Sequence, residues 1–198
     1  MIRAGSAISN PVTGEHLVFH RTAGMTNGEY VLIEATVQPD GFVAAGHVHP
    51  LQSERFEVLS GTLGLRIGRR TLIAGAGDTA TVPPGTAHRF WNAGPGEVRF
   101  LCEVRPALAF EQLLETMFAL AEDGKTNKKG MPNALRLAVI AKAHFDVVRL
   151  PYVPAALQRV GLVAGAALGR AFGYESSYRA DRDAAPIVDL AERAIGTI

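Results

Sequence analysis

Cysteine is almost missing: Cys102 is the only one in 198 residues, so no intrachain disulfide can staple the fold. Stability must come from a packed core, and the lone thiol suits a reducing, cytoplasmic setting. Long apolar runs are missing too. The uncharged stretch between Arg159 and Arg170 is ten residues, against about twenty for a helix that spans a bilayer. The opening residues hold no apolar run of signal-peptide length, so no secretion is expected. An excess of one charge is also lacking. Lys and Arg number 20 against 19 Asp and Glu, a net charge of +1, and nothing in that balance asks for nucleic acid as the partner. Nucleotide and nucleophile motifs are absent as well: there is no phosphate loop with lysine and no Gly-x-Ser-x-Gly turn. The segment Gly75-Ala-Gly77-Asp-Thr-Ala80 has glycines at dinucleotide-like spacing but leads into a strand pattern instead of a helix, so no organic cofactor is expected there.

What is present divides the chain in two. Residues 1 to 105 are rich in Val, Ile, Phe and Gly, in short apolar runs broken by turn residues. His16 to Arg21 and Glu29 to Gln38 read as an early hairpin. Phe42 to His49, Arg55 to Leu59, Thr62 to Ile67, Arg70 to Ala74, Asp78 to Val82, Ala87 to Trp91 and Glu97 to Val104 read as further strands. Such spacing predicts a mainly β barrel or jelly roll. Residues 106 to 198 turn to Ala, Leu, Glu and Gln at helical intervals, with helices expected over about 107–122, 133–149 and 155–172 and a weaker signal near 187–195. At this length we expect one core with an α-helical extension packed on it or on a dimer mate.

Within the β half, His47 and His49 are separated by one residue, so on an extended strand both imidazoles face the same way. Glu54 follows a turn-forming Pro50-Leu-Gln-Ser interval that can bring a carboxylate back to that face, and His88 follows Pro83-Pro-Gly85-Thr on another strand. These four residues are the candidate metal ligands. Imidazole and carboxylate together suit iron, manganese, nickel, zinc or copper.

The fixed positions around them carry a specific resemblance. Gly41, His47, His49, Glu54 and Gly61 fit the pattern G(X)5HXH(X)4E(X)6G, and Gly77, Pro83, Gly85, His88 and Asn92 fit G(X)5PXG(X)2H(X)3N, without a gap or substitution. The chain resembles the cupin superfamily over about residues 16 to 105, with the short intermotif stretch of single-domain microbial cupins. The resemblance implies a double-stranded β-helix, one divalent transition metal held by His47, His49, Glu54 and His88, and a homodimer. It implies iron before manganese, nickel, zinc or copper, and dioxygenase-type oxidative chemistry on a small oxygenated substrate. A non-redox isomerase or cyclase, or a non-catalytic binding module whose helical tail meets a partner or a membrane surface, is the alternative. No catalytic side chain beyond the ligands is assigned.

Other titratable groups are read as structural or solvated. Glu57, three residues beyond Glu54, falls on the opposite strand face; Glu34, Arg66 and Glu103 are assigned to solvated faces, and His16, His20 and His144 lie outside both motifs. Phe90 shares the parity of His88 and is expected to line the pocket. In the third helix Gly161, Gly165 and Gly169 recur every fourth residue and line one side. Each costs about 0.8–1 kcal/mol of helix propensity relative to alanine, so close packing against another helix of the chain, or of a dimer mate, is expected to offset the loss. The same helix carries arginine but no acid, and a membrane-surface role is the lesser reading.

Overall fold

The computed structural model describes residues 2–179. Among them are nine strands: β1 (Ala7–Asn10), β2 (Glu15–Arg21), β3 (Val31–Val37), β4 (Ser53–Ser60), β5 (Leu63–Ile67), β6 (Arg70–Ala74), β7 (Thr79–Val82), β8 (His88–Asn92) and β9 (Val98–Arg105). They form a six-stranded sheet in the order β1-β2-β3-β9-β4-β7 and a three-stranded sheet in the order β6-β5-β8. Every strand pairing is antiparallel. Two packed antiparallel sheets with strands shuffled in this way make a jelly roll.

Alternation in the sequence decides which face is inside. Val31, Ile33, Ala35 and Val37 of β3 are buried, while Leu32, Glu34 and Thr36 between them are partly exposed. Val98, Phe100, Cys102 and Val104 of β9 and Phe56 and Val58 of β4 continue the same inner face across the sheet. Phe90 reaches over from β8, with its ring 5.4 Å from Phe100 and 6.1 Å from Phe56, and so ties the two sheets together. Emptying the Phe100 site would cost about 3–5 kcal/mol. Gly61 makes the tight turn between β4 and β5. Its φ is +79°, and an added Cβ would stand 2.5 Å from the Glu97 carbonyl oxygen, so no other residue fits without displacement.

Three helices follow: α1 (Phe110–Glu122), α2 (Ala134–Ala143) and α3 (Ala155–Ala171). The first begins later than the periodicity predicts because Leu108 adopts a φ of +46° and the Ala107 amide is spent on the Gly28 carbonyl oxygen. The second stops well short of 149. After Ala143 the chain turns through His144, and Arg149 exchanges backbone hydrogen bonds with Val48 in the first half of the chain. The expected strand over 42–49 is likewise only a series of isolated bridges, Phe42 to Trp91, His47 to His88 and Val48 to Arg149. The helical part therefore supplies a pairing partner where the barrel has none.

Helix α3 packs on α2 through two of its three glycines. An added Cβ at Gly165 would meet Ala138 Cβ at 2.9 Å, and one at Gly169 would meet the Leu135 carbonyl oxygen at 2.6 Å, whereas Gly161 has nothing within 4 Å. Leu157, Val160, Val163 and Leu168 of this helix are exposed. Among the described residues no helix is long and apolar enough to cross a membrane. The weak helical signal near 187–195 lies outside the described residues.

Candidate metal centre

The four predicted ligands come together. Their ligating atoms all lie within 4.8 Å of one another, and His49, Glu54 and His88 are buried while His47 is partly so. They arrive from three pieces of the fold, His47 and His49 sharing one. His47 is bridged to His88 by paired backbone hydrogen bonds, His47 N–H to the His88 oxygen and His88 N–H to the His47 oxygen. Glu54 sits at the start of β4, opposite Val82 of β7 and Val104 of β9. His88 opens β8, and the turn before it is fixed by the Gly85 amide, which donates to the His49 carbonyl oxygen at 2.8 Å.

The chemistry of the donor set tests whether a cation fits. Each imidazole places its Nδ1 on a carbonyl oxygen: His47 on Ala45 at 2.8 Å, His49 on Val147 at 2.5 Å and His88 on Thr86 at 2.9 Å. A carbonyl only accepts, so each Nδ1 carries the hydrogen, and in a neutral ring Nε2 is left with its lone pair. Those lone pairs face Glu54. His88 Nε2 stands 2.6 Å from Glu54 Oε2 and His49 Nε2 3.4 Å from Oε1, yet both Nε2 atoms are buried without a hydrogen-bond partner. Lone pairs converging on one point, with a carboxylate among them, repel unless a cation stands between them. The residues fit a divalent transition metal, and the Nδ1 contacts are the outer partners that hold ligating histidines in one tautomer.

Electrostatics agree. Burial drives the His47 pKa down to about 3, and the nearby His49 and His88 push the same way, so His47 is a neutral donor at any ordinary pH. Burial works to raise the Glu54 pKa, but His49 and His88 outweigh it and hold the carboxyl well below its usual range. For His49 burial lowers the pKa, and the Glu54 charge with the Val147 contact turns the net direction upward. A proton can thus take the cation's place beside Glu54, and binding a metal there would release it.

Several groups at the site gave no signal as ligands. The Val147 carbonyl that orients His49 belongs to the segment after α2, and 98 residues separate the two. Phe110 at the start of α1 stacks edge-on against His49 with ring centroids 5.6 Å apart. Cys102 lies 4.0 Å from Glu54, and burial, helped by the charges of Glu54 and Glu103, raises its pKa so that it stays a thiol. Glu15 is buried on the inner face with Leu17 and Phe19, a position its strand parity could have shown. The groups read as peripheral are placed so: Glu57 pairs with Arg55, Glu34 with Arg99 and His20, and Glu103 with Arg105. His16 bonds the exposed Ser9, whereas His144 is buried with its Nδ1 on the Ile140 carbonyl.

A cavity of about 470 Å³ opens from the centre, between the barrel interior and the three helices. His47, His49 and Glu54 form part of its wall, and Phe90 lines it as its parity predicts.

Fold and site together define a jelly-roll protein with a buried centre of three histidines and one carboxylate, arranged for a single divalent ion. The family follows from the sequence that builds this part. Residues 33–104 match the family model described as the cupin domain. Solved structures resemble about half of the chain. An RmlC-like cupin from Shewanella frigidimarina is 17% identical, with 54% of this chain and 88% of that chain covered and a TM-score of 0.47. A predicted oxalate decarboxylase from Thermotoga maritima is 20% identical, with 54% and 98% covered and a TM-score of 0.46. An uncharacterized conserved protein with a double-stranded β-helix domain from Klebsiella pneumoniae is 29% identical, with 41% and 66% covered and a TM-score of 0.39. No curated protein matches the chain.

Proposed function

We propose that this chain is a metal-dependent enzyme acting on a small oxygenated organic molecule, with oxidative, dioxygenase-type chemistry and iron as the metal. The observation that carries the reading is the convergence of buried, unpartnered His49 and His88 Nε2 atoms on the Glu54 carboxylate, at the inner end of a cavity large enough for a small substrate. His47, His49, Glu54 and His88 would hold the ion. When bound it supplies Lewis acidity toward a substrate oxygen and, if redox-active, an electron source for dioxygen.

The chain's own groups do the rest. Three backbone carbonyls hold the imidazoles in one tautomer, so the ligand geometry is set before anything binds. Phe90, Phe100 and Phe110 wall the centre with apolar surface and exclude water, which strengthens every charge interaction inside. The Cys102 thiol stays protonated beside Glu54 and does not compete as an anionic ligand.

The test is metal analysis of untagged protein purified without chelator, then anaerobic iron(II) reconstitution and oxygen uptake against a panel of diketones, phenols and thiol acids. Near-stoichiometric iron and substrate-dependent oxygen consumption are expected. Stoichiometric zinc or nickel with turnover but no oxygen consumption would move the reading to isomerase or cyclase chemistry. Absence of any turnover with each metal would leave a binding module.

A further inference from the structure

The cavity beside the metal centre has a wall with an unusual chemistry. Its barrel side is Leu17, Ile33 and Phe100, and its helical side includes Leu113, Met117 and Ile140. Among the described residues no serine, threonine, tyrosine or lysine side chain lines it. The polar side chains of the wall outside the metal cluster are Asn10, Glu15, Cys102, Arg149 and Gln158, and each of the four strong hydrogen-bonding ones already has at least one partner within the chain. Asn10 Oδ1 accepts from the amides of Val12 and Thr13, and Glu15 accepts from Thr13 Oγ1 at 2.6 Å. Arg149 donates to the Phe145 carbonyl and to Asp146. Gln158 is spent on the backbone of Leu150 and Val153.

A sugar, nucleoside or other polyhydroxylated molecule placed here would surrender hydrogen bonds to water and find few replacements. Each hydroxyl left without a partner weakens binding by roughly ten-fold or more. A hydrocarbon body meets no such penalty. The cavity also has a mouth of matching character. Leu150, Val153 and Leu157 line it and are at the same time 56%, 38% and 65% exposed, so they stand where it meets solvent. Exposed leucines at a rim would be a liability on an ordinary surface, and they fit an opening that admits an apolar molecule.

We propose that the substrate is lipophilic: one oxygen-bearing head at the metal centre, and an apolar body lying in the chamber between barrel and helices, admitted past Leu150, Val153 and Leu157. The head's placement rests on the metal-enzyme reading above. The body's placement rests on the chamber alone. The helical extension then has a functional part, because it supplies the outer wall and the mouth, and substrate choice lies there.

The experiment is displacement of a fluorescent polyene fatty acid, cis-parinaric acid, from the full chain. The competitors are butanoate, hexanoate, octanoate, decanoate and dodecanoate, with glucose 6-phosphate and uridine as hydrophilic controls. It is run on zinc-loaded protein and on chelated protein. Affinity should rise about four-fold for each added methylene until the chamber is full, and the hydrophilic controls should not compete. Leu157→Glu, at an exposed position where folding is preserved, should weaken dodecanoate by ten-fold or more and butanoate hardly at all, while Leu157→Met should behave as wild type. A flat chain-length series, displacement by the hydrophilic controls, or a Leu157→Glu variant with unchanged dodecanoate affinity would overturn the proposal. A methylene slope in protein that binds no metal would keep the lipophilic chamber and sink the metal-enzyme reading. Stoichiometric metal with a flat series would do the reverse.

Discussion

At the scale of single residues, the site is built from few side chains and many backbone atoms. His49 is the most constrained, with Nδ1 on Val147, Nε2 toward Glu54 and its ring against Phe110. His49→Ala removes one of four ligands, and metal content by elemental analysis should fall from near one per chain to near zero; wild-type occupancy would refute the ligand set. The spacing of the histidines made this residue legible, since the one-residue interval fixes two imidazoles on one face. Glu15 was legible in principle and overlooked. Burial pushes its pKa from the ordinary 4.5 up to about 7, only partly opposed by the Thr13 hydroxyl. The folded state therefore keeps a proton between those two values that the unfolded chain gives up, so stability is full below about 4.5 and falls as pH rises through 7. The loss amounts to roughly 3 kcal/mol. Urea midpoints measured from pH 5 to 8 should fall for the wild type and lie flatter for Glu15→Gln. Parallel curves for the two proteins would mean that Glu15 is not the titrating group.

At the scale of elements, the contrast between strands and helices explains what could be read in advance. The burial alternation of β3 and β9 is written in single residues, so the strands, their inner face and the motif glycines were visible. The end of α2 was not. Phe145, Val147 and Val148 continue an apolar pattern, and the helix stops because Arg149 pairs with Val48, about a hundred positions away, a partner with no local signature. The missing strand over 42–49 has the same cause seen from the other side. The glycine pattern of α3 was legible as close packing, but not its division of labour. Two glycines touch α2 and the third lines the cavity. Gly169→Leu forces a side chain into the Leu135 carbonyl oxygen, and the overpacking should cost about 1–3 kcal/mol. Gly161→Ala meets nothing within 4 Å and should instead gain about 0.8–1 kcal/mol of helix propensity. Thermal melts of the two variants shifting in the same direction would contradict this account of the α2–α3 contact.

At the scale of the whole molecule, the metal centre is where separate parts of the chain meet. Glu54 comes from the six-stranded sheet, His88 from the three-stranded sheet, and His47 and His49 from the bridge between them. Val147, which orients His49, comes from the helical half. An ion held by these groups closes the barrel and fastens the extension to it, whereas an empty site leaves a carboxylate and facing lone pairs in a buried space. Binding to the folded state alone stabilises by about 4 kcal/mol when free metal is a thousand-fold above its dissociation constant. For a chain of this size that is roughly 8–16 °C in melting temperature. Chelation of the wild type should lower the melting temperature by that order, and amide exchange should speed up in residues 144–149 as well as in β4 and β8. The His49→Ala variant should melt at one temperature with or without chelator. If chelation instead loosens only the ligand strands and leaves 144–149 as protected as before, the extension is held by its own packing, and the Val147 contact merely follows the metal site.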